Sequence, residues 1–255
     1  MNLGTKGPKW VLLAAVLALY VSLFWVSFGY ADPTGADISL ILVDYGPNST
    51  AGSRTDPGGT ITTLSIDVTQ QDQGWKAYVG NLTGRLVLRD SNSMSIYEWD
   101  LASSALGGHV FVSRSNSVNW TPLRCANRTD ILAEDTFLGL SSSAADSINN
   151  TFNYSIHAAM VVGGTTIGTF AENSCNSTAT FVNGSIQEMN VSTTKFQEIL
   201  LHDNVDLVYA TFIDQDSDGF ATNSTNNLTY DFQLIVAENK SESTGHTYYF
   251  YADIS

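Results

Sequence analysis

Residues 196–213 read FQEILLHDNVDLVYATFI, two segments of strand character separated by a polar turn. Residues 196–202 and 205–213 are the predicted strands, and the polar pair His202-Asp203 between them is typical of a turn. Similar short segments, bounded by turn clusters, recur along the chain at residues 60–69, 84–89, 95–101, 109–113, 155–162, 179–182, 228–236 and 246–254. This spacing predicts a mostly β fold, specifically an antiparallel β-sandwich.

A different pattern occupies residues 130–151. Residues 130–137 (DILAEDTF) combine a cap residue, good helix formers and acids in the first turn, which predicts a helix. Residues 143–150 could form another short helical turn. We therefore expect a small helical insertion in the sandwich.

The N-terminal part of the chain, residues 1–31, carries an apolar segment. Residues 11–30 contain no charge and, as a helix, would span about 30 Å, the thickness of a bilayer core. Lys6 and Lys9 precede the segment and acids follow it, which predicts a cytoplasmic N-terminus and a signal anchor in the membrane. The alternative is a signal peptide cleaved after Ala31, because Gly29-Tyr30-Ala31 is a small-x-small site.

Residues 32–59 are predicted to form a tether, a buried strand and a loop, and residues 60–255 the extracytoplasmic β domain. The strand is residues 38–45 (ISLILVDY), whose nearly continuous apolar run is typical of a strand buried on both faces. A second interpretation is that this strand, which lies between two flexible segments, adds to the sheet edge of a neighbouring molecule.

Charge and cysteine content limit the class of protein. The net charge is −14, and the residues after Ala31 carry nine Lys and Arg against 25 acids, or −16. Nucleic acid is excluded as a partner, because phosphate binding needs clustered basic residues. Cys125 and Cys175 are predicted to form a disulfide, since an even count in an exported chain favours one; two buried free thiols are the alternative.

Glycosylation sequons are unusually dense. Of 18 Asn after residue 31, 12 begin the pattern N-x-S/T, whereas the Ser and Thr content of that region, 51 of 224 residues, would give about four by chance. We expect several of these asparagines to be exposed and glycosylated. The sequons begin at Asn48, Asn81, Asn119, Asn127, Asn149, Asn153, Asn176, Asn183, Asn190, Asn223, Asn227 and Asn239.

An acidic loop is the candidate metal site. Asp214, Asp216 and Asp218 alternate before Gly219, an arrangement of oxygen ligands and a tight turn that suits Ca²⁺. An EF-hand is not predicted, because Thr225 occupies the position of its final Glu ligand. The competing interpretation is a solvated acidic turn between two strands.

Catalytic motifs are not found in the sequence. The four histidines, His109, His157, His202 and His246, lack metalloprotease spacing, and no nucleophile elbow or phosphate-binding loop is present. The aromatic residues either stack on sugars or, as is usual in sheets, pack in the core and across strands. They are Trp75, Tyr78, Tyr97, Trp99, Trp120 and the run Tyr248, Tyr249, Phe250 and Tyr251.

The long N-terminal apolar segment, the sequon-rich acidic β domain and the scarcity of lysine together resemble archaeal cell-surface glycoproteins as a class. The sequon density and the lack of a catalytic motif favour an exported, non-enzymatic surface glycoprotein as the first hypothesis. It would serve as a coat, adhesion or filament subunit and associate with itself or with other surface proteins. The alternative function is an extracellular module that binds Ca²⁺ or carbohydrate. An unrecognised hydrolase is the third hypothesis.

Overall fold

The computed structural model describes residues 32–43, 49–70, 72–92, 94–100, 107–168, 174–182, 184–189, 193–214, 217–219, 229–240 and 245–254. The apolar segment 11–30 lies outside these residues, so its predicted helix is not described. Over the described residues, no helix combines the length and apolarity that crossing a membrane requires.

Within the described residues the chain forms fifteen strands and two helices, and all strand pairs are antiparallel. The predicted mostly β class is therefore confirmed, and the arrangement is consistent with a β-sandwich. The elements are β1 Thr34–Gly35, β2 Trp75–Gly80, β3 Arg85–Arg89, β4 Ser95–Asp100, β5 Gly108–Ser113, β6 Arg124–Cys125, α1 Arg128–Phe137, α2 Ile148–Thr151, β7 Met160–Val162, β8 Thr165–Ile167, β9 Ser177–Ala179, β10 Gln197–His202, β11 Leu207–Phe212, β12 Ser217–Asp218, β13 Thr229–Tyr230, β14 Phe232–Ala237 and β15 Tyr249–Ile254.

A seven-stranded sheet forms the centre of the fold, in the order β1-β15-β5-β11-β10-β6, with β9 also paired to β10. The β10–β11 hairpin lies inside this sheet and is buried on both faces. The turn between the two strands lies at the predicted position. Asp203 Oδ1 accepts hydrogen bonds from the amides of Val205 and Asp206. Asn204 adopts a positive φ of 74°.

Alternate residues of the central strands build two separate cores. Val110, Val112, Leu200 and Tyr209 pack on one face against α1, α2 and the two-stranded sheet β14–β2. Their strand neighbours pack on the opposite face against the β7–β8 hairpin; these neighbours are Phe111, Ile199, Leu201, Val208 and Ala210. Because both faces of the central sheet are covered by other elements, its strands carry apolar residues on both sides.

The helical insertion is confirmed, and α1 begins two residues before its predicted start. Asn127 is the N-cap: its Oδ1 accepts from the amides of Thr129 and Asp130, and the Asp130 carboxylate accepts in return from the Asn127 amide. This reciprocal capping box satisfies amides that have no partner inside the helix. The second predicted turn is observed as α2.

Three predicted strands are absent or much shorter than expected. Residues 60–69 form no strand, and their apolar side chains Ile61, Leu64, Ile66 and Val68 are exposed because no described element covers them. Residues 155–162 contribute only the short strand β7 at their C-terminal end. Of residues 179–182, only Ala179 lies in a strand, as the last residue of β9.

Candidate assembly surface

Strand β1 fixes the start of the apolar segment to the sheet edge. Pro33 is buried, Thr34 and Gly35 pair with Ala252 and Tyr251, and the Ala36 amide donates to the Phe250 carbonyl at 2.9 Å. Strand β15 begins at residue 249, so the edge that β1 follows ends one residue beyond Phe250. The chain therefore leaves the sheet at residue 37.

Residues 38–43 then extend into solvent, and we call them the donor segment. Ile38, Leu40, Ile41, Leu42 and Val43 are 58–93% exposed, and the segment belongs to no strand. The predicted buried strand is wrong for these residues; Asp44 and Tyr45 lie outside the described residues. The segment therefore leaves five large apolar side chains in contact with solvent.

The β3–β4 hairpin is a second exposed apolar element. It forms a two-stranded sheet of its own, and neither strand packs extensively on another described element. Leu88 and Ile96 are 50% and 64% exposed. The register shifts between Leu88 and Arg89, which is a β-bulge. Nothing in the sequence distinguishes this hairpin from the buried ones, because its strands have ordinary strand composition.

The predicted disulfide between Cys125 and Cys175 is confirmed. Cys125 lies in β6, and Cys175 precedes β9 by two residues. Both short strands pair with β10, at Leu201 and at Ile199 respectively, so the bridge joins two strands that lie end to end along one edge. The disulfide therefore links the two short strands that complete that edge of the sheet.

His157 supports the same region from inside. It is fully buried; its Nδ1 lies 2.6 Å from the Ala158 carbonyl oxygen and its Nε2 lies 3.0 Å from the Cys175 amide nitrogen. A carbonyl only accepts and an amide only donates, so the ring is neutral with its proton on Nδ1. Burial lowers the pKa of His157, and the bond to Ala158 only partly offsets this effect.

The predicted calcium loop is described in part. Asp214 Oδ1 lies 3.1 Å from Lys195 Nζ, and its Oδ2 accepts from the Phe196 amide at 2.6 Å. Asp216 lies outside the described residues, and the backbone of Asp218 pairs with Thr229 in the β12–β13 ladder. In the described part of the chain, no three His, Cys, Asp or Glu side chains are grouped to hold a metal ion. The Ca²⁺ hypothesis stays a prediction.

Seven of the twelve sequons fall on described residues. Asn81, Asn119, Asn127 and Asn153 are exposed, and three others are half-buried: Asn149, Asn176 and Asn239. Asn176 uses its side-chain nitrogen, the atom that carries an N-linked glycan, to donate to the Phe152 carbonyl at 2.8 Å. The remaining five lie outside the described residues: Asn48, Asn183, Asn190, Asn223 and Asn227.

Most of the candidate sugar-stacking aromatics pack inside the fold, including the buried Tyr248 and Tyr251. Trp75 donates from Nε1 to the Asp146 carbonyl at 2.7 Å, and Tyr78 meets Phe250 edge-on at 5.0 Å between ring centroids. Trp120 contacts the rings of Phe111 and Tyr251 at 5.2 and 5.3 Å. Tyr97 is exposed, and the side chain of Trp99 lies outside the described residues.

Buried acids are the polar feature that the sequence did not reveal. Glu198 of β10 is fully buried, and its Oε2 accepts from the Ile235 amide of β14 at 2.9 Å, which joins the small sheet to the large one. Burial raises the pKa of Glu198 well above its ordinary range. Asp135 accepts from the Ile148 amide at the start of α2, and burial raises its pKa too. Each carboxyl group accepts a hydrogen bond from a backbone amide of a neighbouring element, so both residues have a structural role.

The other three histidines contact a carboxylate, a turn amide and an aromatic ring of nearby residues. His109 Nδ1 lies 3.0 Å from Asp253 Oδ1 across the β5–β15 pair, and His202 Nδ1 accepts from the Asn204 amide in the turn at 3.0 Å. The ring of His246 lies 5.6 Å from that of Phe137.

No known protein family, curated protein or solved structure matches this chain.

Proposed function

We propose that this chain is a non-enzymatic, exported surface glycoprotein that assembles as a coat, adhesion or filament subunit. The observation that carries the proposal is the exposure of the donor segment, five large apolar side chains that extend from a fixed point on the sheet edge. Exposed apolar surface of this kind marks protein interaction sites. The N-terminus is cytoplasmic if residues 11–30 anchor the chain, and the β domain lies at the cell surface.

The size of the apolar segment suits association. Burying one Val, Leu or Ile side chain contributes about 1.5–3 kcal/mol, so five contribute roughly 7–15 kcal/mol before the cost of ordering is subtracted. A micromolar complex requires about 8 kcal/mol. Backbone hydrogen bonds to a partner strand would add to this contribution, as they do in other cases of strand addition.

The disulfide and the exposed sequons support the location. An intramolecular disulfide persists in an oxidising compartment, and glycans on Asn81, Asn119, Asn127 and Asn153 would project into solvent. A glycan-covered acidic body would leave its exposed apolar segments as points of contact with a neighbour, and the donor segment is the one that β1 holds to the sheet edge.

Replacement of residues 38–43 by a Gly-Ser segment of equal length tests the proposal. The full-length chain is purified in a density-matched detergent, and its mass is measured by analytical ultracentrifugation over a range of concentrations. We expect the parent to form assemblies and the replaced chain to stay monomeric. At a dilution at which the parent is also monomeric, the two chains should have the same urea midpoint, because assembly itself would raise the parent's midpoint. The matched control replaces the exposed Leu64, Ile66 and Val68 with Ser and should assemble like the parent.

Two results would overturn the proposal. One is a parent chain that is monomeric at every concentration. The other is a replaced chain with a much lower urea midpoint, which would show that the donor segment belongs to the fold of its own molecule.

A further inference from the structure

Two glycosylation sequons of the chain lie side by side in the fold. They are residues 153–155 (NYS) and residues 176–178 (NST). Tyr154 and Ser177, the middle residues of the two sequons, form an antiparallel β-bridge with backbone hydrogen bonds of 3.2 and 2.9 Å. All three residues of the first sequon are exposed, whereas in the second the Asn is half-buried and the Ser and Thr are buried. The two sites are therefore neighbours that differ in the accessibility of their side chains.

The second sequon is held by hydrogen bonds at its Asn and by a strand at its Thr. The Asn176 side-chain nitrogen, to which a sugar would attach, donates to the carbonyl of the fully buried Phe152 at 2.8 Å. The Asn176 carbonyl accepts from the Leu200 amide at 2.9 Å. Thr178 lies in β9, pairs with Glu198 of β10 and is 9% exposed. A sequon requires Ser or Thr at its third position, so a transferase must reach this side chain as well as the nitrogen.

The Cys125–Cys175 disulfide fixes the chain directly before this sequon. Cys175 is 1% exposed, and its amide nitrogen lies 3.0 Å from His157 Nε2. With the disulfide closed, Asn176 can turn outward only if β9 separates from β10 and from Tyr154. Such a local opening breaks several backbone hydrogen bonds at once, so the open state is rarely populated in the folded protein.

We propose that Asn176 accepts a glycan only while the chain is unfolded, and that folding with closure of the disulfide withdraws it, whereas Asn153 stays available in the folded protein. The inference rests on the proposed function, because only an exported chain meets the transferase. In the transfer step the Asn nitrogen forms a bond to the anomeric carbon of a lipid-linked sugar. The bond from that carbon to the pyrophosphate oxygen breaks, and the nitrogen loses one proton. Occupancy of Asn176 therefore records whether glycan transfer preceded folding.

Glycan transfer to the purified full-length chain in detergent tests the inference. One sample keeps its disulfide, the other is reduced and has alkylated cysteines, and neither carries glycans at the start. A disulfide between residues 50 apart stabilises the fold, so a urea concentration between the two unfolding midpoints leaves the first sample folded and the second unfolded. At that urea concentration both samples receive a lipid-linked sugar and an oligosaccharyltransferase that accepts N-x-S/T. Glycopeptide mass spectrometry measures the initial rate of modification at each sequon.

We expect transfer to Asn176 in the folded sample to be at least about tenfold slower than transfer to Asn153, because it waits for local opening of the β9 edge. In the unfolded sample the two rates should agree within about threefold, since both side chains are then accessible. The matched control is Ser155→Thr, an exposed substitution that gives both sequons Thr at the third position. It should show the same difference between the two samples.

Two outcomes would overturn the inference. Equal rates at Asn153 and Asn176 in the folded sample, whether fast or slow, would show that the fold does not distinguish the two sequons. A slow rate at Asn176 in the unfolded sample would show that its own sequence, rather than the fold, limits transfer. The transferase is supplied in both samples, so the result does not depend on export or assembly. Sedimentation of the parent chain tests the proposed function separately, and either can fail without the other.

Discussion

His157 is the residue through which pH should act on stability. Its neutral ring bonds both Ala158 and the backbone of Cys175, and burial holds its pKa below the value of about 6.5 that it has in the unfolded chain. The unfolded state therefore binds a proton first as the pH falls. The stability that His157 contributes is fully present above pH about 6.5 and is lost as the pH falls toward the folded-state pKa.

We predict that His157→Gln reduces the loss of unfolding free energy between pH 7.5 and 5.5. The reduction is at most about 1.4 kcal/mol per pH unit, the limit for one proton. Urea unfolding of both proteins at both pH values measures it. Glu198 and Asp135 have raised pKa values and act in the opposite direction, but they do so equally in the two proteins. Parallel pH curves for parent and variant would contradict the prediction.

At the scale of elements, the N-terminus of α1 depends on one side chain that is also a sequon. Asn127 caps the helix through Oδ1, whereas an N-linked glycan attaches to the side-chain nitrogen, so capping and glycosylation use different atoms. The loss of a capping Asn to Ala costs about 1 kcal/mol. Asp keeps the accepting oxygen and adds a favourable charge at the helix N-terminus.

We predict that, in chain produced without glycosylation, Asn127→Ala lowers the free energy of unfolding by about 1 kcal/mol and Asn127→Asp does not. Chemical unfolding measures both. In glycosylated chain, Thr129→Ala removes the sequon and leaves the cap, which isolates the effect of the glycan. Equal losses in the Ala and Asp variants would show that Oδ1 does not stabilise the helix.

Elements with strong local signals could be predicted from the sequence. Strands β5, β10 and β11 lie within a residue or two of their predicted bounds because apolar residues fill both faces, and the disulfide followed from the cysteine count. Short strands such as β6 and β8, of two and three residues, carry no period that could identify them.

The donor segment shows the limit of sequence reasoning about the candidate site. Its composition indicates a strand with two covered faces, yet residues 38–43 are exposed because β15 begins at Tyr249 and offers no pairing partner beyond residue 37. Burial is a property of the segment and its neighbour together. A single sequence describes only the segment, and the exposure of the β3–β4 hairpin was missed for the same reason.

At the scale of the whole molecule, net charge should control how assembly depends on salt. The part of the chain after Ala31 carries −16. Two such bodies about 40 Å apart repel by roughly 7 kcal/mol at 10 mM salt, where the Debye length is about 30 Å, and by less than about 1 kcal/mol at 0.1 M. Raising the salt concentration over this range therefore screens most of the repulsion between the two bodies.

We predict that raising NaCl from 10 mM to 100 mM strengthens assembly and lowers the apparent Kd at least tenfold, since the apolar contact itself is insensitive to this change. Sedimentation at both salt concentrations measures the effect, and the chain with residues 38–43 replaced by a Gly-Ser segment should remain monomeric at both. Stronger assembly at low salt would show instead that attraction between charged groups outweighs the repulsion between the bodies.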